Sequence, residues 1–461
     1  MPNRRLAARW QVPLLIVSVI AMVALGFSLV RKALGDRIGA DESVECAVRP
    51  CHLSFVDFRD ATWRAASWFV TGNNPYDTQT YLEHFPNSLD YPTYAPGHLL
   101  LWAPLGWAGW DTATLLAAAV NLAVIVATGC WLGLRAAELL PARLVPAGRE
   151  GATARAIMAT WGVILLLLSR PVTLAYYLGQ PSVVYVLLGV PAIMVRNKYV
   201  GVILVAVCCM KPHIGLAVVV VLLARGAWRR AITGVVLSAV LSLAAVPVMA
   251  GGLTGVPGWF SSLAANISES SSRRTEDWLD ERIDIVGSLQ HAGVGISTMV
   301  TVAVAVVGVV LAFVLSRRMF TRSESIATLL GLSLITLTLY HLSYDAAWLI
   351  PPIVLGALEA ARDRRLLIRI LPALAMLFFG AAIAHYYVFD RIGTAMGIEN
   401  FSIYLMRVLL FAGTVLLIVT LWPELRNRRD PRVRATRTAA DHDRSDSGPG
   451  IDTPGADIAA T

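Results

Sequence analysis

Apolar runs long enough to approach bilayer thickness recur along this chain, separated by short polar loops that are mostly basic. A transmembrane helix needs about 20 apolar residues. The pattern predicts spans at roughly 10–30, 111–134, 155–170, 181–195, 199–210, 212–224, 231–250, 296–316, 324–341, 346–361, 366–388 and 402–422. That is an all-α polytopic membrane protein of about 12 transmembrane helices, with residues 1–425 as one membrane domain. The first run, after Arg4, Arg5 and Arg9, reads as an anchor, because no clean cleavage site follows it and many spans do. Residues 426–461, rich in Asp, Ser, Gly and Pro, read as a disordered cytoplasmic tail.

Two interruptions stand out within this pattern. Leu174–Gln180 and Lys211-Pro212-His213 break apolar runs with polar or helix-breaking residues. Broken helices survive in a membrane only where protein or a wet cavity satisfies the freed backbone groups, so both breaks point at a cavity. In Asp57–Val70, Phe58, Ala61, Ala65, Trp68 and Phe69 recur at close to 3.6 residues. This predicts an amphipathic helix lying along the interface, with Trp63 and Trp68 at headgroup depth.

Loop charge orients the chain. With the N-terminus inside, every inner loop carries arginine or lysine: Arg135 to Arg155, Arg196 and Lys198, Arg225 to Arg230, Arg317 to Arg322, and Arg362 to Arg369. Arg31, Lys32 and Arg37 are the exceptions, on the outer side of the first span. The expectation is a plasma-membrane protein with both termini cytoplasmic and its polar cluster on the extracytoplasmic face. A hydrophobic fraction of 56% against 15% charged residues excludes an ordinary soluble domain. The net charge of +8 lies in short loops and the tail, which speaks for the positive-inside rule and against nucleic acid as a partner. Cys46 and Cys51 share an outer loop where a disulfide is possible, and their state is left open.

In this topology seven of eight histidines fall at or near the outer face, and His213, His341 and Asp345 sit at the edges of apolar runs. Ionisable groups there are costly and usually face a cavity or a partner. Residue type leaves competing readings. Asp57 is by that measure better read as an N-cap than as a base, and Asp60 either caps or pairs with Arg64. Lys211 is by residue type better read as snorkelling to the interface than as binding a ligand. Gln180 before Pro181 suits the plain start of a span, and Tyr76, Tyr91 and Tyr94 suit ordinary interfacial positions.

Order along the chain changes those readings. An Asp at the start of a helix (Asp57) is followed by Gly72, then Pro75-Tyr76, then a tyrosine- and proline-rich stretch from Tyr91 to Pro104. Further on come Gly179-Gln180, Lys211-Pro212 with His213, and Tyr340-His341-Leu342-Ser343-Tyr344-Asp345. This series resembles the polyprenyl-phosphate-sugar-dependent glycosyltransferases of the C superfamily, most closely the mannosyltransferases of glycosyltransferase family 87. The last segment departs from the family's usual Ser-Pro element with Trp and His. The resemblance implies the C-type architecture, with interfacial helices in the first outer loop. It also implies Asp57 as the base that activates the acceptor hydroxyl. Lys211, His213, His341 and Gln180 then become donor-phosphate ligands, and Tyr76, Tyr91, Tyr94, Tyr344 and Asp345 substrate contacts.

The expected reaction is transfer of a sugar, mannose by resemblance, from a polyprenyl-phosphate donor to a glycolipid or cell-envelope glycan, with inversion to an α-linked product. An inverting transfer needs one general base and groups that stabilise the departing phosphate, not a second nucleophilic carboxylate. Lys211, His213 and His341 can do that electrostatic work, so neither metal nor cofactor is required. An arabinofuranosyl donor is the nearest alternative. A transporter or flippase of lipid-linked sugars is the rival from another class, and its inverted repeats are not seen in the sequence.

The loop charges place residues 35–110 and 251–295 outside and 135–154 inside. In a background without the native cysteines, Ser271→Cys should react with a membrane-impermeant thiol reagent in intact cells and Arg149→Cys should not. The reverse result would overturn the orientation.

Overall fold

The computed structural model describes residues 3–42, 53–88, 92, 94–142, 144–261 and 281–426. Tyr91, Cys46 and Cys51, and the tail beyond Arg426, lie outside them. By internal contacts the chain divides into two units, Met1–Thr420 and Leu421–Thr461. Regular structure among the described residues is helical, and the only β pairings are isolated bridges.

Among the described residues seven helices are long and apolar enough to cross a membrane: Trp10–Gly35, Trp110–Leu139, Gly148–Leu168, Trp228–Met249, Thr298–Phe320, Arg364–Ala382 and Phe401–Arg426. The other five expected spans are helices of 11 to 15 residues: Ser182–Met194, Lys198–Cys208, Pro212–Arg225, Glu324–Thr338 and Ile350–Ala360. Helix length therefore supports seven crossings where the apolar pattern predicts twelve. Short polar side chains set several of the starts: Asn197, Asp284, Ser297, Ser323 and Asp363 each accept a first-turn backbone N–H. Ser182–Met194 and Glu324–Thr338 are buried almost all round, whereas Trp10–Gly35 and Thr298–Phe320 expose most of their apolar surface. Apolar side chains on the exposed helices face outward, as lipid-facing positions do.

Small residues set the closest helix pairing. Trp110–Leu139 and Gly148–Leu168 run side by side through Gly129, Gly133 and Gly162, and a Cβ on Gly133 would collide with the Met158 carbonyl. Such positions let backbones approach in a membrane, where dispersion takes over from the hydrophobic drive.

The segment after the first span departs from the expected interfacial helix. Val56–Phe58 continues through a π-helical turn, Arg59–Trp63, into Arg64–Val70, and this run is buried on its polar as well as its apolar side. Phe58, Ala61, Ala65 and Phe69 do share the core-facing stripe. The polar positions, however, do not face water. Arg59 donates to Asp60 (2.7 Å) and to the carbonyls of Gly39 and Glu42, while Arg64 donates to Asp60 (3.1 Å), Ser88 and the Ala40 carbonyl. The pattern was that of an amphipathic helix, but a buried ion cluster takes the place of solvent. The Asp60–Arg64 pair is as expected, joined by Arg59.

The glycine seam yields a stability prediction. Gly133→Val forces the two long helices apart and should destabilise by about 1–3 kcal/mol, as overpacking does. Gly26→Val, with open space around it, is the control. Thermal melting in detergent reads the difference, and equal midpoints would refute the seam's role.

Candidate active site

Two breaks in helical structure build the site. Arg170–Tyr177 ends in a turn closed by Gly179 N–H to the Tyr176 carbonyl and Gln180 N–H to the Ala175 carbonyl. Gly179 is left-handed at φ +69, and a Cβ there would lie 2.6 Å from the Phe55 ring. Any other residue would meet both the backbone and the steric penalty. Pro181 then leads into the next helix, so the Gln180 side chain is turned toward the start of Val56–Phe58. Phe55 N–H and Asp57 N–H donate to the carbonyls of Tyr177 and Leu178, fixing the two segments together.

Asp57 is not the N-cap; that position is Phe55, itself left-handed at φ 62. The Asp57 carboxylate instead accepts from the Gln180 amide nitrogen. Gln180 Oε1 accepts from Tyr94 OH (3.0 Å) and Ser182 Oγ (3.1 Å), which fixes the amide so that its nitrogen meets Asp57. Tyr94 is pinned in turn: its ring stacks on His98 at 4.2 Å, and its carbonyl accepts from Tyr76 OH at 2.7 Å. His98 shares hydrogen bonds with Tyr185 OH (2.6 Å) and Thr62 Oγ1 (3.3 Å).

The second break carries the cationic pole. The helix Lys198–Cys208 ends, Lys211 is extended, and Pro212 opens the next helix at a position that needs no N–H. Lys211 Nζ donates to Ser182 Oγ (2.7 Å) and Asp345 Oδ1 (2.9 Å), and lies 5.2 Å from the centre of the Tyr344 ring. Asp345 sits in the short turn Ser343–Leu349, before the helix Ile350–Ala360. Its Oδ2 faces His341 Nδ1 at 3.2 Å and His213 Nε2 at 3.5 Å. Burial favours the neutral acid, but the Lys211 ammonium and the two imidazoles override it and hold Asp345 well below the usual carboxylate range. An unbroken series of hydrogen bonds thus runs from Asp57 through Gln180, Ser182 and Lys211 to Asp345.

These groups meet at a cavity of about 620 Å³. Asp57, Tyr94, Gln180, Lys211, His213 and Tyr344 line it; His341 and Asp345 stand behind His213 and Lys211, fully buried. Tyr76 is not on the wall: it is a core residue packed against Trp259, and acts on the site only through Tyr94. Sequence reasoning missed Ser182 and His98, and wall residues that include Lys32, Arg170, Tyr177 and Glu281. Lys32 did leave a signal, as one of the basic residues that broke the charge rule. Arg170 before Pro171 at an apolar edge left another. Nothing marked Ser182.

Comparison with known proteins identifies the family. The family model for glycosyltransferase family 87 matches residues 93–352, which take in Tyr94, Gln180, Lys211, His213, His341 and Asp345. Asp57 precedes the matched stretch. No curated protein and no solved structure matches the chain. The match spans more than half of the 461 residues, and the chain belongs to glycosyltransferase family 87.

Proposed function

We propose that the protein moves a sugar, mannose on the family resemblance, from a polyprenyl-phosphate donor to a hydroxyl of a lipid-linked or cell-envelope glycan at the extracytoplasmic face. One observation carries the reading: a carboxylate and an ammonium–imidazole pole share one cavity wall, bridged by Gln180 and Ser182. That is the equipment of an inverting transfer. Asp57 takes the proton of the acceptor hydroxyl as its oxygen bonds to the sugar's anomeric carbon. The bond from that carbon to the phosphate oxygen breaks on the opposite face, and the polyprenyl phosphate leaves with its new negative charge beside Lys211 and His213. Positioned proton transfer contributes about 10²–10⁴-fold, and charge stabilisation at the leaving group adds to it. Tyr94 and Tyr344 supply flat walls and hydroxyls for the sugar. Membrane lipids surround the exposed apolar helices.

Asp57→Asn keeps shape and an acceptor for Gln180 but cannot take a proton. Turnover should fall by at least about 10²-fold with thermal stability and donor binding near wild type. Asp60→Asn should do the opposite, lowering stability by about 3–5 kcal/mol because Arg59 and Arg64 lose their buried counter-charge. An active Asp57→Asn enzyme would remove the base from the scheme.

Lys211→Met tests the phosphate pole. Loss of a charge-assisted contact of about 1.5–3 kcal/mol corresponds to donor use weakened roughly 10- to 100-fold. An assay with radiolabelled polyprenyl-phosphate mannose and a crude glycolipid acceptor pool reads both variants. Unchanged donor affinity and turnover in Lys211→Met would take Lys211 out of the site. Wild-type protein inert with that donor but active with a polyprenyl-phosphate arabinose would move the proposal to the other sugar.

A further inference from the structure

Behind the cavity wall, three metal-ligating side chains converge in a way that the transfer scheme does not need. One ligand atom each from His213, His341 and Asp345 lies within 4.8 Å of the others. Asp345 Oδ2 is the shared corner, 3.2 Å from His341 Nδ1 and 3.5 Å from His213 Nε2. A charge-assisted N–H···O bond settles at about 2.7–2.9 Å. His341 Nδ1 at 3.2 Å makes a long hydrogen bond, and His213 Nε2 at 3.5 Å lies beyond hydrogen-bonding range. Both suit ligands of one ion instead: metal–nitrogen and metal–oxygen bonds of about 2.1 Å set neighbouring ligands roughly 3.3 Å apart. His213 Nε2 is buried and makes no hydrogen bond of normal geometry.

We propose that His213, His341 and Asp345 bind a divalent cation of the zinc or manganese class, with an open side toward the cavity. Two imidazoles and one carboxylate are a donor set of intermediate softness, suited to such ions rather than to magnesium or calcium. Lys211 holds the other carboxylate oxygen at 2.9 Å, which is the position of a residue that orients a metal ligand. The backbone N–H of Leu342 also reaches Oδ2, at 3.3 Å, and fixes the carboxylate plane. Because the carboxylate lies between ammonium and cation, their repulsion is reduced. His213 belongs to the cavity wall, so the ion's remaining positions open where the donor phosphate is placed. The cation's role, though not its existence, rests on that phosphate reading. It would accept a phosphate oxygen as Lewis acid while the bond to the anomeric carbon breaks.

The test uses the full chain purified in detergent, stripped with a chelator, dialysed against zinc or cobalt, and desalted. Elemental analysis should find about one equivalent bound per chain, as a single-ion site requires, and the cobalt form should show a visible d–d absorption band. His341→Ala should lose both. Asp345→Asn, which preserves volume, should lose both as well, so that misfolding of one variant does not decide the matter. No metal retained, together with full sugar transfer in excess chelator, would overturn the cation and leave the glycosyltransferase reading standing. Metal retained equally by both variants would place it elsewhere and also overturn the site. One equivalent bound and lost on substitution, with no transfer from any polyprenyl-phosphate sugar, would keep the metal site and sink the donor assignment instead.

Discussion

The buried pair Lys211–Asp345 is the interaction on which the site's geometry depends. Neither charge is tolerable alone at that depth, and removing one partner of such a pair costs far more than the pair contributes. Each therefore constrains the other's backbone. Lys211 sits where one short helix stops and the next begins with Pro212; Asp345 sits in the turn Ser343–Leu349. Two segments more than 130 residues apart in sequence are tied by a contact of 2.9 Å. The same ammonium reaches Ser182 and so brings in the break at Gly179. Three interruptions of helical structure are gathered at one place by one nitrogen.

From that place the order spreads outward through groups with little freedom. Gln180 is held by two hydroxyl donors at its oxygen, so its nitrogen has one orientation toward Asp57. Tyr94, which supplies one of those hydroxyls, is stacked on a buried histidine and tied by Tyr76. A carboxylate held this way has little orientational freedom left to lose, which is what the proposed base role asks of it. On its other side, the Asp57 segment is anchored by the Arg59–Asp60–Arg64 cluster. Adjacent carboxylates have separate duties: Asp60 is spent on structure and Asp57 faces the cavity.

Legibility followed periodicity and chemistry, and failed where only three dimensions carry the information. Apolar runs located every long helix. They outnumber the seven helices long enough to span among the described residues, because a buried 13-residue helix such as Ser182–Met194 is as apolar as a spanning one. The two breaks were readable because Gly and Gln in the first, and Lys, Pro and His in the second, are costly in an apolar run. Tyr76 lies in the core rather than on the cavity wall, which residue type could not tell, because a tyrosine near a site looks the same whether its hydroxyl meets ligand or a carbonyl. Ser182 was invisible, since a serine at the start of a helix is ordinary; its importance comes from Lys211, 29 positions away. The Asp60–Arg64 pair was readable from its spacing, but the Arg59 that joins it was not.

Lys32 shows how an apparent violation can be informative. Counted as loop charge, it argues against the orientation that every assigned inner loop supports. It belongs instead to the cavity wall, at the end of the long first helix, with its ammonium 5.5 Å from the Tyr177 ring centre. Leu29, one turn earlier on the same helix, lines the cavity too, and that helix is the least buried of the long ones. One wall of the cavity is therefore a helix otherwise clothed in exposed apolar side chains. For a substrate with a polar head and a long hydrocarbon tail, this wall joins both environments: the head can sit among Lys32, Asp57 and Lys211 while the tail follows the apolar surface. A charge that fails a loop rule but lies on such a wall is better read as part of the site than as an error in the topology.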